Sequence, residues 1–170
     1  MALKRGLVHL YTGSGKGKTS AALGLCLRAV GRGLKCCFIQ FLKGVPTGEL
    51  QAVKNLPNFE LYQMGRPGYD FKITAEDYDR AREALELARK KAGEVDVLVL
   101  DEVNVAVHLG LISLEELLDF IKQKPENLEL ILTGRYAKPQ LVEVADYATN
   151  FQLIKHPFYE GLYGRKGIDF

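Results

Sequence analysis

The sequence predicts an α/β fold, a three-layer sandwich in which helices cover both faces of a mostly parallel β-sheet. Two observations carry this prediction. Short apolar runs alternate along the chain with longer helical patterns, which is typical of parallel strands joined by crossover helices. The chain has 170 residues, a length that suits one domain with a substantial core. We therefore predict a single domain over residues 1–170.

The strands are predicted from apolar runs that Gly, Pro or polar residues bound. The first strand covers residues 7–12, and the helix after it ends near Gly31 or Gly33, where glycine is a natural stop. The later strands are predicted over residues 36–41, 59–63, 95–100, 128–133 and 151–155. Ligands of such sheets gather at the carboxyl ends of the strands, so the loops that follow the strands are the candidate site.

Two later helices carry N-terminal capping signals. Asp77 follows Thr74 by three residues, in front of a long helical pattern that Gly93 ends. Ser113 and Glu116 have the spacing of a capping box before the next amphipathic pattern. Both pairs predict where a helix begins.

The composition is that of an ordinary globular protein, with 47% hydrophobic and 26% charged residues. The formal net charge is +2 and the pI is near 8.4. Nucleic-acid-binding domains more often have a pI above about 9 and a clustered basic face. We therefore expect no nucleic-acid partner.

The three cysteines, Cys26, Cys36 and Cys37, show no metal-ligand spacing. Cys36 and Cys37 are adjacent in a predicted strand, so their side chains should point to opposite faces of the sheet. Buried reduced thiols suit a cytosolic compartment. The chain shows neither the pattern of a signal peptide nor a membrane-spanning run, and we expect a cytoplasmic protein without a membrane partner.

Residues 12–20 form a glycine-rich turn between the first predicted strand and the first predicted helix. The backbone N–H groups of such a turn, together with the helix dipole, bind phosphate. Lys18 is expected to reach the phosphates, and the Thr19 hydroxyl is expected to bind Mg²⁺. The pattern is a P-loop and predicts a nucleotide site. The residues assigned to this site are Gly13, Ser14, Gly15, Lys16, Gly17, Lys18, Thr19 and Ser20.

The loop departs from the usual P-loop spacing, because Thr12 stands five positions before Gly17, where a glycine is expected. It is either a tolerated variant of an ordinary ATPase loop or a loop that holds its triphosphate differently. The local sequence leaves both interpretations open.

Charged side chains follow the other predicted strands at the same edge of the sheet. Asp101 and Glu102 come after the fourth strand, where carboxylates can hold Mg²⁺ together with Thr19. Arg135 follows the fifth strand and can donate two hydrogen bonds to phosphate, the alternative being a surface salt bridge. Glu49, after the second strand, is equally compatible with a ligand contact and with the start of a helix.

Tyr69 and Phe71 lie in segment 65–71, which is too rich in Gly and Pro for a regular element. They are expected either to pack beneath the sheet or to form a wall for a large, flat, partly apolar ligand. No Ser–His–acid or Cys–His pattern in the sequence points to a protein nucleophile.

Taken in order, these motifs resemble the ATP:corrinoid adenosyltransferase family almost from end to end, including the shortened glycine loop. Each segment is weak alone, but the ordered set is specific. Beside the P-loop, the segments are Arg-Ala-Val-Gly at 28–31, Gln-Phe-Leu-Lys-Gly at 40–44, Gly-Glu at 48–49, Val-Leu-Asp-Glu at 99–102, Thr-Gly-Arg at 133–135 and Gly-Ile-Asp-Phe at 167–170.

The resemblance implies a P-loop fold of the RecA-like class and an unusual reaction. Members of the family transfer the 5′-deoxyadenosyl group of ATP to Co(I) of a corrinoid and release triphosphate, forming adenosylcobalamin or an adenosylated precursor. Cobalt is then the nucleophile. The resemblance also implies Mg²⁺, a homodimer, and a reduced flavoprotein or similar electron donor.

The same resemblance implies roles for the phosphate-site residues. Backbone donors from Ser14 to Lys18 hold the phosphates, and Thr19 and Glu102 serve Mg²⁺. Lys18 and Arg135 are expected to act on the leaving triphosphate, where fixed cations stabilise the transition state most.

The resemblance also extends the binding site beyond the P-loop. Arg28 and Glu49 are assigned to substrate binding. Tyr69 and Phe71 match an aromatic pair that lies against the lower face of the corrinoid and displaces its axial ligand.

Two other functions stay open from the residues alone. An ordinary P-loop phosphotransferase would release ADP or phosphate and would carry an arginine-rich lid, which the sequence does not show. A RecA-like nucleic-acid-binding module would bind with a steep salt dependence, and the modest charge argues against it.

Overall fold

The computed structural model describes residues 3–68 and 72–169, and it has the α/β architecture that the sequence predicts. Within these residues, the strands are β1 (Val8–Thr12), β2 (Cys36–Gln40), β3 (Phe59–Gln63), β4 (Val97–Asp101), β5 (Glu129–Thr133) and β6 (Tyr147–Asn150). The helices are α1 (Lys18–Val30), α2 (Gly48–Val53), α3 (Ala75–Lys91), α4 (Val103–His108), α5 (Leu114–Gln123) and α6 (Pro139–Val144), and a 3₁₀ turn covers Pro157–Glu160.

The strands form one sheet in the order β3-β2-β4-β5-β1-β6, and every pairing is parallel. All carboxyl ends therefore lie at the same edge. The strand that leads into the P-loop, β1, lies beside β5, and β4 lies between β5 and β2. The loops after β1, β4, β5 and β2 consequently meet at one place, which is where the sequence predicts the site.

The sheet separates two hydrophobic cores. Cys36 and Phe38 of β2 pack with α1 on one face, whereas Cys37 and Ile39 pack with α3, α4 and α5 on the other. The prediction that Cys36 and Cys37 point to opposite faces is confirmed, and Cys26, Cys36 and Cys37 are buried free thiols. The central strands are buried on both faces, because helices cover both.

Both predicted helix starts are confirmed. The Asp77 carboxylate accepts hydrogen bonds from the Thr74 backbone N–H at 2.8 Å and from the Thr74 hydroxyl at 3.0 Å. At α5, the Ser113 N–H donates to Glu116 at 2.8 Å, and the Glu116 N–H donates to the Ser113 hydroxyl at 3.1 Å. These side chains bond N–H groups that the first helical turn leaves free.

The position predicted for the last strand is wrong. Residues 151–155 are not a strand, and β6 instead covers Tyr147–Asn150, where it pairs with β1 from His9 to Thr12. All four residues of β6 are exposed, so the edge strand has no apolar pattern to mark it. Backbone hydrogen bonds to β1 place it there, and this information is absent from the local sequence.

The sequence did not predict α4 and α6, and it indicated α2 only as one of two interpretations of Glu49; these helices have six residues each and are too short to show a helical period. The longest helix is α3, with 17 residues. Within the described ranges, no helix combines the length and apolar character that crossing a bilayer requires.

Candidate functional site

The P-loop connects the end of β1 to the start of α1. Gly17 precedes the helix with φ of 119°, a left-handed conformation that glycine adopts without strain. Gly15 lies against the chain after β6, and its N–H donates to the Phe151 carbonyl at 2.6 Å. A Cβ on Gly15 would lie 2.7 Å from the carbonyl oxygens of Phe151 and Gln152. Glycine is therefore required at position 15 by space and at position 17 by backbone conformation.

Lys18 folds back over the loop that precedes it. Its Nζ donates to the carbonyl oxygens of Gly13 at 2.8 Å and Gly15 at 2.7 Å, and only 7% of the residue is exposed. Burial lowers the pKa of Lys18, an effect that Glu102 opposes and Arg135 reinforces. An ammonium group held by neutral carbonyls gains more from the negatively charged oxygens of a phosphate.

Asp101 is the centre of a buried polar cluster at the carboxyl edge of the sheet. It ends β4 and is fully buried. Its Oδ1 accepts hydrogen bonds from the hydroxyls of Thr19 at 2.9 Å and Thr133 at 2.7 Å. Its Oδ2 accepts from Gln40 Nε2 at 3.2 Å and lies 3.5 Å from Lys43 Nζ. One carboxylate thus connects the start of α1 with β5, β2 and the loop after β2.

Glu49 extends this cluster toward α2. It lies in the first turn of that helix, accepts from Gln40 Nε2 at 3.0 Å and is 3.6 Å from Lys43 Nζ. Burial would raise the pKa of Glu49, but the hydrogen bond from Gln40 and the charge of Lys43 outweigh burial and lower it. Gln63 Nε2 extends this hydrogen-bond network by donating to Gln40 Oε1 and to the Thr47 hydroxyl. The helix-start interpretation of Glu49 is confirmed, and the same carboxylate borders the site.

Glu102 follows β4 in a left-handed conformation, with φ of 62°. This conformation is strained for a residue with a Cβ, and the hydrogen bond from its N–H to the Thr133 hydroxyl at 3.0 Å helps to hold it. Burial, and secondly the charge of Asp101, raises the pKa of Glu102. Because of this turn, the consecutive carboxylates of Asp101 and Glu102 lie at the same edge of the sheet. Asp101 lies inside the buried cluster, and Glu102 lines the cavity.

The loop after β5 brings Arg135 to the same edge. Asn104, in the first turn of α4, is fully buried and donates from Nδ2 to the Gly134 carbonyl at 3.0 Å. A Cβ on Gly134 would lie 3.1 Å from the Asn104 Cβ and 3.2 Å from Glu102 Oε2. The Asn104 Oδ1 has no hydrogen-bond partner among the described residues. Asn104 therefore holds the backbone immediately before the arginine through a single hydrogen bond.

These elements surround a cavity of about 440 Å³. The predicted site residues that line it are Ser14, Gly15, Lys16, Gly17, Lys18, Thr19, Ser20, Glu49, Glu102 and Arg135. Asp101 lies beneath the cavity, and Gly13 borders the loop through the carbonyl that Lys18 contacts.

The structure does not bring Arg28 to this cavity. Arg28 lies in the last turn of α1, ten residues after Lys18, which corresponds to about 15 Å along a helix. Tyr69 and Phe71 lie outside the described residues.

Sequence reasoning did not assign Gln63, Asn104 or Asp169 to this edge, and it also missed Leu23, His156 and Ile168 in the lining of the cavity. Gln63 and Asn104 act through other residues, and single polar residues of this kind carry no pattern. Asp169 lines the cavity from the far end of the chain. Asp169 lies in the Gly-Ile-Asp-Phe segment, which contributed to the family resemblance. Nothing in that segment predicts that Asp169 contacts Lys16.

The oxygen donors at this edge suit a hard divalent cation. The Thr19 hydroxyl and the Asp101 and Glu102 carboxylates are ligand types that Mg²⁺ prefers, and they would hold the ion if it bound here. Across residues 3–68 and 72–169, no three His, Cys, Asp or Glu side chains cluster as a metal site. A nucleotide-dependent Mg²⁺ site needs no such cluster, because the nucleotide supplies ligands.

Comparisons with known proteins agree with this geometry. The model of the family described as ATP:corrinoid adenosyltransferase BtuR/CobO/CobP matches residues 4–170. A corrinoid adenosyltransferase of Sinorhizobium is 38% identical, over 98% of this chain and 81% of the relative. Corrinoid adenosyltransferases of Pseudomonas aeruginosa and Escherichia coli are 34% and 33% identical, over 98% of this chain and 85% and 87% of those proteins. The chain therefore belongs to the ATP:corrinoid adenosyltransferase family.

Proposed function

We propose that this protein transfers the 5′-deoxyadenosyl group of ATP to Co(I) of a corrinoid and releases triphosphate. Family membership supplies the reaction and its two substrates. The observation that carries the assignment to this cavity is the convergence of Lys16, Lys18, Lys43 and Arg135 on one P-loop. Four cations and a row of loop N–H groups match the charge of a triphosphate.

In this reaction the cobalt provides both electrons of the new Co–C bond, and the bond between C5′ and the α-phosphate oxygen breaks. The leaving triphosphate takes that electron pair, so negative charge grows on phosphate oxygens inside the cavity. Cations and N–H groups fixed before the reaction stabilise such charge without reorganising. Lys18 can turn from the Gly13 and Gly15 carbonyls to the phosphates. Arg135 is positioned by the loop that Asn104 holds.

Mg²⁺ would be held by Thr19, Asp101 and Glu102, and when bound it would neutralise part of the triphosphate charge. Asp101 contributes in a second way. By accepting from the Thr19 and Thr133 hydroxyls, it fixes the start of α1 relative to β5. The relative position of the P-loop and Arg135 is set by these bonds, and positioning of this kind supplies much of the rate in such enzymes.

Partners beyond the two substrates are proposed on the family resemblance. A homodimer and a reduced flavoprotein or similar electron donor follow from it, because Co(I) has to be produced by reduction. Tyr69 and Phe71 are proposed to contact the lower face of the corrinoid. The buried free thiols support a reducing, cytosolic compartment.

The test is to incubate the protein anaerobically with Mg²⁺, ATP and chemically reduced cobalamin and to identify both products. A light-sensitive Co–C bond together with intact triphosphate is the expected result. ADP and phosphate with unaltered cobalamin would contradict the proposal and indicate a phosphotransferase.

A further inference from the structure

The chain after β6 returns to the P-loop and places a carboxylate against it. Lys16 Nζ forms an ion pair with Asp169 Oδ1 and lies 3.4 Å from the Ile168 carbonyl oxygen. Asp169 Oδ2 accepts hydrogen bonds from the Arg165 backbone N–H at 2.9 Å and from Arg165 Nε at 3.2 Å. Asp169 and Ile168 line the same cavity as the P-loop. The C-terminal segment, residues 165–169, therefore contributes its last three residues to the wall of the cavity.

Asp169 differs from Glu49 and Glu102, the other carboxylates that line the cavity, because it forms an ion pair with a lysine of the P-loop itself. Asp169 therefore already pairs with Lys16, a P-loop cation that a bound triphosphate would also approach. If it stayed there beside a bound triphosphate, two negatively charged groups would share one lysine. The hydrogen bonds from Lys16 and from the Arg165 backbone N–H lower the pKa of Asp169, so the carboxylate is ionised at neutral pH. The protein thus supplies its own anion to this lysine.

The ion pair between Lys16 and Asp169 is also weak enough for another anion to replace Asp169. Residues 157–168 are all exposed, and 49% of the Lys16 side chain is exposed. Ion pairs in such surroundings contribute little stability, because water solvates both partners well. Asp101, in contrast, is fully buried and bonded on both oxygens. A triphosphate can displace Asp169 at small cost, and it cannot displace Asp101.

We propose that Asp169 competes with the triphosphate for Lys16, so that the C-terminal segment leaves Lys16 when triphosphate binds and returns as the triphosphate product departs. The inference rests on the proposed function, which places triphosphate in this cavity. Because Asp169 is tethered beside its partner, it competes at a high effective concentration that dilution does not reduce. The segment thereby assists release of a highly charged product from a site made to hold it.

The first experiment measures the affinity for inorganic triphosphate with Mg²⁺ by isothermal titration calorimetry. Asp169→Asn keeps the size of the side chain and removes its charge. We expect this variant to bind triphosphate about fivefold more tightly than the wild type, which corresponds to the free energy of one exposed ion pair. The matched control is Glu160→Gln, which removes another carboxylate and its 3.0 Å pair with Lys155 from the same end of the chain. Glu160 does not border the cavity, and its variant should bind as the wild type does.

A second measurement uses the unaltered protein. Trypsin cleaves after Arg165 and Lys166, and mass spectrometry reports the rate of cleavage. We expect saturating triphosphate to accelerate cleavage at these residues, because the segment loses its contact with Lys16.

The outcomes separate the two proposals. Equal or weaker binding by Asp169→Asn, or protection of Arg165 and Lys166 by triphosphate, would overturn the competition and leave the proposed function standing. If the wild type does not bind triphosphate at all, the proposed function and the competition both fail.

Discussion

Asp101 and Asp169 both place a carboxylate against the P-loop, yet the protein surrounds them in opposite ways. Asp101 ends a central strand, is fully buried and has partners on α1, β2 and β5. Asp169 lies beyond the last strand, at the end of an exposed stretch, with partners at Lys16 and Arg165. One carboxylate is fixed by the sheet, and the other is held by two surface charges.

The contrast separates a charge that fixes the geometry of the site from a charge that can move. A buried carboxylate bonded to several elements cannot move without breaking all of its bonds, so it sets geometry. An exposed ion pair breaks easily, so it can follow the ligand. Substitutions in the buried cluster around Asp101 should therefore reduce both stability and activity. Substitutions of the P-loop lysines Lys16 and Lys18 should reduce activity alone.

Lys18→Ala should have the largest effect. We expect turnover to fall by about 10²–10³-fold, because a fixed cation aimed at the leaving group is lost. Unfolding free energy should change by no more than about 1 kcal/mol, since Lys18 bonds only loop carbonyls of Gly13 and Gly15 in the described structure. Rates of Co–C bond formation from pre-reduced cobalamin and urea denaturation provide the two measurements.

The control for this substitution is Lys54→Ala, which removes an exposed lysine bonded to Gln51 on α2 and should leave turnover unchanged. Normal turnover of Lys18→Ala would exclude the phosphate role of Lys18.

Asp101→Asn should reduce both the enzymatic activity and the free energy of unfolding. Activity should fall about 10–100-fold, because Thr19 and Mg²⁺ are held less firmly. The free energy of unfolding should fall by about 3 kcal/mol, because Lys43 loses its buried charged partner and the new asparagine amide N–H faces other donors. Glu129→Gln is the matched control at the opposite end of the sheet, where Glu129 accepts from His9 and from the Leu7 N–H. It should lose stability and keep its turnover. A stable but inactive Asp101→Asn would show that the cluster is not structural.

Asn104→Ala should reduce kcat/KM about tenfold, equivalent to one hydrogen bond of about 1.4 kcal/mol, by releasing the Gly134 backbone before Arg135. Asn104→Leu retains the volume without the donor and should show the same loss. Steady-state kinetics with ATP as the varied substrate measures both. Recovery of activity in the leucine variant would assign the effect to packing instead of the hydrogen bond.

Glu116→Ala should affect stability alone, by about 1 kcal/mol, because it removes half of the capping box of α5, far from the cavity. Hydrogen bonds from Ser113 lower the pKa of Glu116 in the folded protein. Its contribution is therefore present above the ordinary glutamate pKa of about 4.3 and is lost as pH falls through the lowered folded value. Urea denaturation at pH 7 and at low pH measures the difference between variant and wild type, which should shrink on acidification.

Much of this protein could be predicted from its sequence because two kinds of local signal are strong. Buried parallel strands are continuous apolar runs, and five of the predicted strands overlap strands of the structure. Glycine-rich turns and capping pairs act through their immediate neighbours, so the P-loop, Thr74 with Asp77, and Ser113 with Glu116 are recognisable in isolation. The ordered motifs also indicated the family to which the chain belongs.

The prediction failed where a position depends on a distant partner. The edge strand β6 has four exposed residues, and its place is set by backbone bonds to β1. Arg28 was assigned to substrate binding through the family resemblance, and that assignment stays a prediction. The structure places Arg28 in the last turn of α1, outside the lining of the cavity that Lys18 borders.

Local patterns and motifs in a fixed order were enough to predict the α/β class, the P-loop, the edge of the sheet at which charges collect, and the family resemblance. Three contacts became visible only in the folded chain: Asp101 is the bonded centre of the cluster, Asn104 holds the Arg135 loop, and Asp169 reaches Lys16 across 153 residues of sequence. The reason is physical: hydrogen bonds and ion pairs between distant residues depend on how the sheet and its loops bring them together, and no local pattern records that distance.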